Sequence, residues 1–77
     1  MIEAQVHIDA GDDWEAALDF QACARNFEML KKSIRVQAGE RVAGSEYRKT
    51  NSDGTTWLII KQNREIGNVK ITGYRFG

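Results

Sequence analysis

His7 is the single histidine of this 77-residue chain and Cys23 its single cysteine. A titratable imidazole does acid–base or metal chemistry when a second ligand or a carboxylate stands at a defined spacing from it. No histidine or cysteine does so for His7, which reads as a solvent-facing strand residue. Cys23 falls on an apolar stripe, where a thiol behaves as a small hydrophobe. One cysteine excludes an internal disulfide and a cysteine-based zinc site. "GERVAGSE", residues 39–46, has the glycine spacing of a phosphate loop but lacks the following lysine and a strand–helix frame. "NSDGT", residues 51–55, is too short for a calcium loop. The acidic set Asp9, Asp12, Asp13, Glu15 and Asp19 shows no spacing that converges on a hard cation. A catalytic site needs several convergent titratable groups, and the expectation is a protein that is no enzyme, with no cofactor and no metal.

The elements that would position these residues are read from periodicity. "IEAQVHID" alternates, with Ile2, Ala4, Val6 and Ile8 on one face: a half-buried strand. Gly11 breaks it. Asp12 followed by Glu15 fits a capping box, and Asp13 suits the positive end of a helix dipole. The spacing predicts a helix from about Asp13 to about Ser33, with Ala16, Phe20, Cys23, Phe27, Leu30 and Ile34 as its core stripe. Residues 37–45 read as a loop. Strands are expected at about Glu46–Thr50, Thr55–Gln62 and Val69–Phe76, with the turn "NSDG" and the loop "NREIGN" between them. The expected fold is α+β, β-α-β-β-β, with a single helix packed on one face of a mostly antiparallel four-stranded sheet, in one domain over residues 1–77.

"WLII", residues 57–60, places large apolar side chains on both faces of its strand. With Asp53-Gly54 at the centre of a type I′ turn, Thr50 pairs with Trp57, Arg48 with Ile59 and Glu46 with Lys61. Tyr47, Leu58 and Ile60 then face the helix. A three-residue loop, Ser52-Asp53-Gly54, shifts every pairing by one. The first register is preferred because it pairs Glu46 with Lys61 and sends Leu58 and Ile60 to the core. It leaves Arg48, Trp57, Ile59, Lys61, Lys70 and Tyr74 on a sheet face that the chain does not cover.

Two surfaces follow. Trp14, Leu18, Arg25 and Met29 line the far side of the predicted helix, beside the acidic Asp12, Asp13, Glu15 and Asp19. Exposed Trp, Met and Arg suit a protein contact. The basic and aromatic sheet face suits single-stranded nucleic acid, by stacking and phosphate contact. Residues 1–40 carry eight acids against four bases, and residues 41–77 seven bases against three acids, so the halves stand at −4 and +4 within a neutral chain. That asymmetry bears on partners. A homodimer with sheets stacked through Trp57, Ile59 and Tyr74, Lys61 and Lys70 meeting Glu3 or Asp9, is a further possibility. No apolar run approaches the roughly 20 residues of a membrane helix, and the start is no signal peptide; a cytoplasmic protein is expected.

In size and architecture the chain resembles the small α+β proteins of phages and mobile elements, including anti-CRISPR inhibitors that occupy a partner's surface. The resemblance is one of style, transfers no residue, and implies a binding protein. The leading expectation is a small protein-binding module, an inhibitor in style, that occludes a basic, nucleic-acid-handling surface of another protein. The alternative is direct binding of single-stranded nucleic acid through the sheet.

Overall fold

The computed structural model describes residues 1–11, 15–50 and 54–74. Its strands are β1 (Ile2–Ile8), β2 (Leu18–Ala24), β3 (Glu46–Lys49), β4 (Thr56–Lys61) and β5 (Arg64–Tyr74); one α-helix, α1 (Phe27–Ala38), and a 3₁₀ turn, Gly39–Val42, lie between β2 and β3. The sheet is antiparallel with order β2-β1-β5-β4-β3. One helix packed against an antiparallel sheet is as expected; the sheet has five strands rather than four.

The additional strand is the main correction. Residues 18–24, expected inside a helix, pair with β1 in an unbroken register from Ile2–Ala24 to Ile8–Leu18. "LDFQACA" satisfies a period of two as well as 3.6: Leu18, Phe20, Ala22 and Ala24 face the helix layer, while Asp19, Gln21 and Cys23 face away. Propensity is a weak prior, and pairing with the neighbouring strand overrides it. The core stripe is correspondingly shorter. Phe27, Leu30 and Ile34 do line the buried side of α1, but Ala16 lies in the exposed connection after β1 and Cys23 is exposed. The capping box at Asp12 falls outside the described residues. The helix instead begins at Asn26, whose extended backbone and side-chain oxygen, accepting from Met29 N–H at 2.9 Å, form its N-cap. Residues 37–45, expected as loop, hold the last turn of α1 and the 3₁₀ turn.

The second correction is register. β3 and β4 pair as Lys49–Trp57, Arg48–Leu58, Tyr47–Ile59 and Glu46–Ile60. This is the spacing of the three-residue loop, not of the Asp53-Gly54 turn. A one-residue slip exchanges the faces of a whole strand, so Trp57 and Ile59 face the helix and Leu58 and Ile60 face away. Of "NREIGN", expected as loop, residues 64–68 are the start of β5 and Asn63 is in the turn before it. Gln62 and Asn63, at φ 55° and 62°, make the two-residue turn between Lys61 and Arg64, the positive-φ pair that a type I′ hairpin requires. Ile66 is the extra residue of a bulge, where pairing jumps from Ile59–Gly67 to Ile60–Glu65.

The core lies between the helix layer and the sheet. Ala4, Val6, Ile8, Ala22, Ala24, Ile59 and Val69 meet Leu30, Ile34, Ala38 and Val42 there. Phe27, at the start of α1, extends the cover toward β3 and β4. Its ring stacks on Trp57 at 4.3 Å between centroids and meets Tyr47 edge-on at 6.0 Å. Lys31 Nζ sits 5.8 Å from the Phe27 centroid and 5.9 Å from that of Tyr47, a cation–π arrangement over the cluster's rim.

Candidate interaction surfaces

From Met1 to Ala24 the sequence holds six acids, Glu3, Asp9, Asp12, Asp13, Glu15 and Asp19, and no lysine or arginine. In the fold the described residues of this segment form the β1–β2 hairpin, one end of the sheet, with Glu3, Asp9, Glu15 and Asp19; β5, β4 and β3 at the other end bring Lys70, Arg64, Lys61, Arg48 and Lys49. The charge asymmetry of the sequence is therefore an asymmetry across the sheet.

Two clasps shape the acidic hairpin. His7, on the sheet face away from the helix, is bonded through Nδ1 to Asp19 at 2.8 Å and through Nε2 to Asp9 at 3.0 Å. An imidazole between two carboxylates satisfies both only when each ring nitrogen carries a proton. The hydrogen bond to Asp19 leads in raising the His7 pKa above 6.5, with Asp9 adding to it and desolvation opposing. The bland reading of His7 holds for its place on the strand face but misses this cross-strand pairing. The second clasp is Arg41 of the 3₁₀ turn. Its Nη1 donates to the Ala16 carbonyl, its Nη2 to the Asp9 carbonyl, and its Nε lies 3.3 Å from the Glu15 carboxylate. One guanidinium, its side chain only 17% exposed, holds both ends of the β1–β2 connection by its fixed fork of donors.

Beside this clasp lies a cleft of about 400 Å³, lined by Arg41, Lys61 and Arg64 and by Asp9, Glu15, Glu40 and Glu65. Arg41 is engaged by the hairpin, and Lys61 Nζ donates to the Glu40 carbonyl at 2.9 Å. The mixed lining favours an ion of neither sign. Among the described residues no group of three His, Cys, Asp or Glu side chains converges to hold a metal.

The predicted helix face does not form. Asp12, Asp13 and Trp14 lie outside the described residues. Glu15 sits in the connection, bound to Arg41. Leu18 is half-buried on β2 against the core, Asp19 is on the opposite sheet face with His7, and Arg25 is exposed at the bend before α1. Met29 alone is on the helix, 47% exposed.

The predicted sheet-face set also separates. Trp57, its Nε1 donating to the Gly54 carbonyl at 3.1 Å, is packed under Phe27, and Ile59 is fully buried in the core. That removes the stacking platform proposed for nucleic acid and the contact proposed for stacked sheets. Lys61 points to the 3₁₀ turn, and Tyr74 is exposed at the end of β5, paired with Ile2. Arg48 and Lys70 do lie on the face away from the helix. Arg48 pairs across from Leu58 and is bonded to Glu46 at 2.8 Å, beside Ile60, which is itself buried between its cross-strand neighbours Glu46 and Glu65.

Sequence reasoning missed the Arg41 clasp and the outer edge of β2. The missing lysines and arginines before Arg25 were a usable signal for the acidic hairpin; nothing local marked Arg41. Among the described residues no helix is long and apolar enough to cross a membrane. No family model, curated protein or solved structure matches the chain.

Proposed function

We propose that this chain is a small, non-enzymatic, cytoplasmic protein-binding module that offers its acidic β1–β2 hairpin to a basic, nucleic-acid-handling surface of another protein and occludes it. The observation that carries this reading is the absence of any lysine or arginine before Arg25, in a segment that folds into one hairpin at one end of the sheet. A surface of one sign steers and orients a partner of the other. Inhibition by occupancy needs no catalytic constellation.

Affinity capture from native lysate, repeated with Asp9→Lys/Asp19→Lys, tests it. A captured basic protein that is lost in the double variant, and whose binding weakens with salt, supports the proposal. Capture unaffected by the double variant, or high-affinity binding of labelled single strands at low salt, refutes it; the second result would reinstate the nucleic-acid reading, whose affinity must fall with salt through counterion release.

A further inference from the structure

We infer that this protein forms a twofold dimer in which the β2 strands of two copies pair antiparallel about Gln21, extending the sheet to ten strands. This stands independently of the function proposed above.

β2 is an edge strand of seven residues, and no strand among the described residues pairs with its outer side. Proteins protect such edges with lysines, prolines, bulges or shortness. The other edge is protected: β3 has four residues, among them Glu46, Arg48 and Lys49. β2 has no lysine, no proline and no bulge in its pairing with β1. A twofold axis normal to the sheet at Gln21 brings all seven residues into pairs that keep each face continuous. Leu18 then meets Ala24 and Phe20 meets Ala22 on the helix side, large against small. On the other side Asp19 meets Cys23, and Arg25 of the second copy is its diagonal neighbour, within reach of a long side chain. No like charges oppose one another, and each copy supplies one half of two Asp–Arg contacts.

Sedimentation at micromolar concentration tests the inference. The wild type is expected at twice the chain mass. Gln21→Lys and Gln21→Glu each place like charges opposite themselves and are expected to sediment as monomers, while an equal mixture restores the dimer. In a Cys23→Ser background, Gln21→Cys is expected to cross-link under mild oxidation, because facing residues on antiparallel strands bring their Cβ atoms to about 5 Å. A monomeric wild type, or a dimer that persists in Gln21→Lys, overturns it. Circular dichroism of each variant separates loss of the joint from loss of the fold.

Discussion

The indole of Trp57 lies against the ring of Phe27 with centroids 4.3 Å apart and planes 29° from parallel. This contact ties the first turn of α1 to the β3–β4 end of the sheet. Truncating a large aromatic in such a place removes its buried area and leaves a void. Trp57→Ala is expected to lower stability by about 3 kcal/mol, and Trp57→Phe by much less. Equilibrium urea unfolding measures both. A neutral Trp57→Ala would mean that the indole is not part of the core.

Arg41 holds the β1–β2 connection through two carbonyls and one carboxylate. Arg41→Ala leaves those acceptors without their common donor and is expected to cost about 2 kcal/mol. Arg41→Lys, a point charge without the planar fork, recovers only part of it. Hydrogen exchange should show faster opening at residues 9–11 and 15–17, with β3 and β4 unchanged.

Gly67 faces Ile8 and Ile59 in the middle of the sheet, where an added Cβ would come within 2.2 Å of the His7 carbonyl oxygen. Backbone cannot yield as a side-chain tip can. Gly67→Ala is expected to destabilise by about 3 kcal/mol, read as a large fall in the thermal midpoint.

Asn26 caps α1. Asn26→Ala is expected to cost about 1 kcal/mol and Asn26→Asp to cost little, since either side-chain oxygen accepts from the Met29 N–H. Thermal unfolding followed by helix ellipticity distinguishes them.

His7 makes stability depend on pH. Its pKa is raised in the folded state, first by the hydrogen bond to Asp19 and then by Asp9, against desolvation. A raised folded value means that the clasp stabilises fully below about pH 6.5, the unfolded value, and is lost as pH rises through the folded one. An NMR titration of the imidazole should give a midpoint above 6.5. In His7→Gln the slope of stability against pH should flatten over the same window, and a midpoint at or below 6.5 would show that the two carboxylates do not hold the ring.

Several elements were legible because their signals are local. The alternation of Ile2, Ala4, Val6 and Ile8 fits only a strand, and the spacing of Phe27, Leu30 and Ile34 fits a helix wherever that helix begins. The bias of charge between the halves needs only counting, and because β1 and β2 lie at one end of the sheet and β5, β4 and β3 at the other it survives as a bias across the sheet. Leu18–Ala24 was ambiguous: leucine, alanine and glutamine at those positions suit either period, and only the pairing with β1 chose the strand. Asn26, rather than Asp12, then became the start of the helix. The β3–β4 hairpin turned on a single residue of loop length, and that residue exchanged Trp57 and Ile59 for Leu58 and Ile60 on the outer face. The Arg41 clasp, the His7–Asp19 pair and the unprotected edge of β2 join residues at least 12 positions apart, or depend on which strand lies outermost. Local sequence determines what each segment can be; strand order and register, which depend on contacts between distant segments, decide which face and which edge each residue occupies.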